Sequence, residues 1–142
     1  MSESEWLDCL RQMDMHEQHI RAWLPEEPQV EAERCVNSRH RTLAHLRACQ
    51  ESWLEACVAF IQKPNPRLEM LHPWRVFEQK SYERVSWSDH LTAYLTDRAH
   101  WKELLASTDR QKSGKINDKE QSIESLTRRL VDHEHHHLFT PR

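Results

Sequence analysis

Residues 133–137 read His-Glu-His-His-His, so four of the chain's 11 histidines stand in one short run. Imidazole is the commonest protein ligand for divalent transition metals, and such a run raises metal chemistry first. Spacing sharpens the point. Ile123, Leu126 and Leu130 recur at steps of three and four, the mark of an apolar helix face, and the next steps fall on His133 and His137. An i, i+4 pair shares one helix face, with side chains near enough to hold one ion. Two imidazoles where leucine is expected are costly to bury without partners, and a divalent ion satisfies both. On the same wheel His135 points to the opposite face and His136 to one side.

Zinc and its neighbours usually take three or more ligands from the protein. A second helical pattern supplies the third. At about 100° per residue, His45 falls inside the apolar arc that holds Cys49, Ala56 and Ala59, whereas His40 falls on the polar side with Arg47, Glu51 and Gln62. The expected ligands are therefore His45, His133 and His137. Three histidines leave a coordination position open. Such a position takes water and lowers its pKa, or takes a substrate thiol and ionises it.

Two charges stand in core register elsewhere. Glu17 interrupts the stripe Trp6, Leu10, Met13, Ile20, Leu24, and Arg98 interrupts Leu91, Tyr94, Trp101, Leu105. A buried carboxylate needs a cationic or hydrogen-bonding partner, and a buried guanidinium needs a carboxylate or an anionic ligand. Glu17 is the obvious internal partner for Arg98; alternatives are a pocket-facing or hydrated Glu17, and an Arg98 that holds a substrate carboxylate. The run at 133–137 also fits H-E-x-x-H, in which Glu134 is the general base of a zinc hydrolase. Zinc proteases of that pattern usually draw a third ligand from downstream, where only residues 138–142 follow.

These side chains need helices to place them. Four amphipathic patterns are expected, at about residues 4–24, 38–62, 88–105 and 117–138, with Ser4, the pair Ser88-Asp89 and the pair Asn117-Asp118 as starts. Pro141 cannot continue the last. Residues 25–38, with two prolines and several acids, read as a linker. With no strand pattern, the chain reads as an all-α four-helix bundle, a single domain over residues 1–142. The connection at 63–87 is long for a compact domain and carries three prolines with Trp74, Phe77 and Tyr82. It is expected to cover one end of the bundle, and Glu17, Trp74 and Tyr82 are candidate lining residues of a cofactor pocket.

Composition narrows the function classes. A single glycine, Gly114, argues against a turn-rich β fold and leaves no Gly-rich phosphate loop. A net charge of −3 gives no reason to expect nucleic acid. No apolar run approaches bilayer length, and the N-terminus lacks the basic and apolar pattern of a signal peptide. The four cysteines, at 9, 35, 49 and 57, form no Cys-x-x-Cys pair and read as reduced cytoplasmic thiols used as small hydrophobes.

Three stretches resemble the DinB-like (DinB/YfiT-like) superfamily. They are Arg41-Thr42-Leu43-Ala44-His45-Leu46 with the following Trp53, Leu95-Thr96-Asp97-Arg98-Ala99-His100-Trp101, and Leu126 to Leu138 with its His-x-x-x-His. The resemblance implies a four-helix bundle with a three-histidine site for zinc, nickel or iron at His45, His133 and His137. It also implies a metal-dependent enzyme, of which characterised relatives include S-transferases that use a low-molecular-weight thiol on a small-molecule substrate, and often a homodimer. Relatives often continue the last helix beyond the position of His137 by a turn or more, whereas this sequence ends at Arg142. Two other functions are open to the same residues. One is a hydrolase with water on the metal and Glu134 as base; the other is a non-catalytic metal-binding bundle.

Overall fold

Ser2, not Ser4, opens the first helix. Its hydroxyl accepts from the Glu5 backbone N–H at 3.1 Å, and α1 runs Glu3–Arg21. The computed structural model describes residues 1–24 and 39–139; the expected linker at 25–38 lies outside the described residues. Beyond α1 these residues form α2 (Arg39–Gln62), β1 (Arg67–Leu68), α3 (Pro73–Gln79), a 3-10 turn (Tyr82–Arg84), α4 (Trp87–Ser107), β2 (Ser113–Ile116), β3 (Lys119–Ser122) and α5 (Ile123–Phe139). The described residues are mostly helical, with one small three-stranded sheet among them that the sequence did not announce. Ser86 caps α4 by accepting from the Asp89 N–H at 3.1 Å, two residues ahead of the expected start.

The last helix begins later than expected, at Ile123. Asn117-Asp118 is not a cap but the two-residue turn of the β2–β3 hairpin, with φ of 50° and 67°. Asn and Asp tolerate the left-handed region that a tight hairpin turn demands. The true start of α5 is a reciprocal cap: Ser125 N–H donates to the Ser122 hydroxyl at 3.0 Å, and Ser122 N–H donates to the Ser125 hydroxyl at 2.8 Å. β1 adds to β2 in parallel, pairing Arg67 with Lys115 and Leu68 with Ile116. Gly114 stands where β2 crosses Phe60. A Cβ there would lie 2.7 Å from both the Phe60 ring and the Pro66 carbonyl oxygen, so no side chain fits.

The core joins Cys9 and Met13 of α1, Cys49, Trp53, Cys57 and Phe60 of α2, Trp101 of α4, and Ile123, Leu126 and Leu130 of α5. Two stripes differ from expectation. On α1 the buried line runs Trp6, Cys9, Met13, His16, Ile20, while Leu24 is exposed. On α5 it continues from Leu130 to Glu134, which is fully buried, and His133 flanks it half-buried. The reason is the 3.6-residue period, which carries a line of threes and fours to 134 as readily as to 133.

The segment 63–87 is ordered into β1, α3 and the 3-10 turn, and its aromatic side chains explain why. Phe77 and Tyr82 are buried against Ala44 and Ala48 of α2. His40, expected on a polar face, is covered instead: its Nε2 lies 2.9 Å from the Val85 carbonyl oxygen. His90 Nε2–H donates to the Tyr82 carbonyl at 2.8 Å, while Arg47 Nη1 donates to its Nδ1 at 3.2 Å. Those two bonds fix His90 as a neutral tautomer. No helix among the described residues is long and apolar enough to cross a membrane.

Candidate metal centre

α2 and α5 bring their imidazoles together. His45 Nε2 and His133 Nε2 lie 3.1 Å apart. The Cys49 sulfur, one turn beyond His45 on the same helix face, is 3.7 Å from His45 Nε2 and 3.8 Å from His133 Nε2. One donor atom from each residue lies within 4.8 Å of the others, so His45, Cys49 and His133 form a group that could hold a metal ion. A tetrahedral ion bonded to nitrogen at about 2.0–2.1 Å and to sulfur at about 2.3 Å holds two nitrogens about 3.3 Å apart and each nitrogen about 3.6 Å from the sulfur. The observed separations fit that geometry closely.

His137 packs its ring against both imidazoles. Its ring centroid is 4.9 Å from that of His45 and 4.5 Å from that of His133. The three expected histidines are therefore in ring contact. The group at ligand spacing nevertheless contains Cys49, a residue expected from the sequence to serve as a small hydrophobe. The missed signal was the His-x-x-x-Cys step on α2, the same i, i+4 spacing that singled out His133 and His137.

Burial sets the charge state of these donors. Removal from water, reinforced by the neighbouring imidazoles, holds His45 down to about 3 and His133 to about 4. Both are neutral near pH 7 and offer lone pairs. Burial pushes the Cys49 thiol up to about 12, so without an ion it keeps its proton. Trp74 of α3 stacks on His45 at 4.9 Å between centroids, and Trp53 meets the His133 ring edge-on at 5.4 Å. Trp74 is 39% exposed and forms the outer wall of the cluster.

The remaining candidates lie elsewhere. Arg98 and Glu134 are both fully buried, and they pair with each other. Glu134 also accepts from the Tyr94 hydroxyl at 2.5 Å and lies 3.3 Å from His16 Nδ1. Both its oxygens are thus engaged inside the protein, which assigns it to an internal ion pair and away from the general-base role expected of it. Arg98 likewise spends its guanidinium internally, on Gln50, Met13, Tyr94 and Glu134, and its side chain is closed off from solvent. The expected partner, Glu17, instead meets Arg21 at 3.0 Å and Lys102 at 3.2 Å. Tyr82 donates to Glu51 at 2.6 Å and is linked to His45 through the ring chain Phe77–Trp74. Of the three lining candidates, the structure brings Trp74 alone against a donor residue. Comparison with family models, with curated proteins and with solved structures finds no match to the chain.

Proposed function

We propose that the chain is a metal-dependent enzyme of the DinB-like kind, a four-helix bundle of α1, α2, α4 and α5 that binds a divalent ion at His45, Cys49 and His133. The convergence of two Nε2 atoms and one sulfur at ligand spacing carries this reading. Mixed imidazole and thiolate donors in tetrahedral spacing favour zinc over nickel or iron. When bound, such an ion supplies Lewis acidity, which lowers the pKa of a thiol or water reaching the site.

The protein's own groups prepare that chemistry. Burial keeps His45 and His133 neutral through the physiological range, so each has one unprotonated ring nitrogen with which to bind an ion. Cys49 gives up its proton only on coordination, so loading releases acid. Trp74 and Trp53 back the two imidazoles and limit the directions from which a small molecule can approach. The thiol-dependent S-transferase activity follows from the family resemblance. In that reaction a low-molecular-weight thiol is the nucleophile toward a small electrophile, and the thiolate is the reactive form.

Metal analysis of the purified protein beside His45→Ala, Cys49→Ala, His133→Ala and His137→Ala tests the site. The expected result is one ion per chain, lost in the first and third variants. Zinc-loaded protein is then assayed for thiol consumption against a panel of electrophiles. No ion in the unaltered protein overturns the whole reading; an ion with no thiol consumption overturns the transferase alone. The ring contacts of His137 favour one second reading. As a fourth donor it would close the coordination sphere and make the site structural. Loss of the ion in His137→Ala would support that reading.

A further inference from the structure

Arg98 reaches the neighbour of a metal donor on each of the two donor helices. Its Nε donates to Gln50 Oε1 at 2.7 Å, and Gln50 follows Cys49 on α2. Its Nη2 pairs with Glu134, which follows His133 on α5. The same side chain donates to the Met13 carbonyl of α1 at 2.9 Å and to the Tyr94 hydroxyl of its own helix at 2.6 Å. Gln50 in turn donates to the Tyr94 carbonyl at 2.9 Å, and His16 of α1 closes the far side of Glu134. Gln50, Arg98, Glu134 and His16 are all fully buried.

A planar guanidinium with donors in fixed directions is a rigid spacer, and a dry interior strengthens each of its bonds. The donors His45 and Cys49 ride on α2 and His133 rides on α5, so their separation depends on how those two helices sit. A buried ion pair is a weak source of net stability but fixes geometry where apolar contacts would slide. We infer that Arg98 is a positioning residue for the metal centre: through Gln50 and Glu134 it fixes the α2 donors relative to the α5 donor. The inference rests on the metal reading above and names what makes that site tight.

Two variants test it, each read by zinc affinity and by the visible absorption of the cobalt-loaded protein, which reports donor geometry. Tyr94→Phe removes one hydroxyl shared by Arg98 and Glu134 and keeps the ring. The double variant Arg98→Met with Glu134→Met removes both charges together and leaves neither stranded. Helical content and thermal midpoint are measured alongside. The expected result is a folded double variant whose zinc affinity falls about tenfold or more, with a changed cobalt spectrum, and a smaller fall in Tyr94→Phe. A folded double variant with wild-type affinity and spectrum overturns the inference. If the double variant does not fold, Tyr94→Phe decides: a weakened site supports positioning and an unchanged one overturns it. Failure of the unaltered protein to bind zinc or cobalt would instead sink the metal reading itself.

Discussion

Acid should unfold the metal-free protein through its buried imidazoles well before its carboxylates matter. Burial holds His45 down to about 3, and His90 and His133 to about 4, against an ordinary value of 6.5. A group whose folded value is depressed lends its full share of stability above the unfolded value and loses it as the pH falls toward the folded one. The unfolded chain takes up these protons from about pH 7 downward, while the folded chain refuses them until about pH 4. At pH 5 the cost is set by the unfolded value and amounts to about 2 kcal/mol for each histidine. His45 and His90 are buried; His133 is half-buried and contributes less through solvent screening. The total is about 4–5 kcal/mol between pH 8 and pH 5, a large part of a typical domain's stability. Urea unfolding after chelator treatment, at pH 8, 6 and 5, measures it. His90→Gln should flatten the profile by about one histidine's share without touching the metal donors. A stability that changes by less than about 1 kcal/mol over this range would refute the account of these rings as dry and neutral.

Cys49→Ala should weaken zinc binding, abolish the sulfur-to-cobalt charge-transfer band and remove the thiol proton otherwise released on loading, all measurable by titration in weakly buffered solution. Arg98→Met alone should cost about 3–5 kcal/mol in a urea titration, because Glu134 is left buried without its cation, whereas the double replacement should cost far less. Gly114→Ala should lower stability by about 1–3 kcal/mol, since the new methyl meets a backbone oxygen that cannot step aside, and thermal unfolding reads the change.

Helices were legible because their apolar residues recur at the helical period, and the ends at Gln62 and Arg39 lay close to those read from the sequence. The hairpin was not. β2 and β3 are four residues each, too short and too polar to show alternation, and Asn117-Asp118 suits a helix start and a tight turn equally. At the site, the helical step of four grouped His133 with His137 and the wheel of α2 singled out His45; the rings lie in contact, although the fully buried line of α5 passes through Glu134 beside them. Cys49 escaped because a cysteine on an apolar face looks like any small hydrophobe until its sulfur is seen beside two ring nitrogens. Arg98 was expected to need an anion, either an internal carboxylate or a substrate, and wheel positions on separate helices do not say which acid is at its depth. Glu134 rather than Glu17 is there because α5 turns it inward at full burial.

The small sheet gives α3 and α5, which flank the candidate donor group, a common anchor. β1 leads into α3 and its Trp74, while β3 runs straight into α5 and its histidines, and β2 is hydrogen-bonded to both strands. The Asn117 side chain adds two bonds to the Met70 backbone, at 3.0 and 3.1 Å, just ahead of α3. A slip of one residue at this clasp would therefore reach His45 through Trp74 of α3 and His133 through the start of α5.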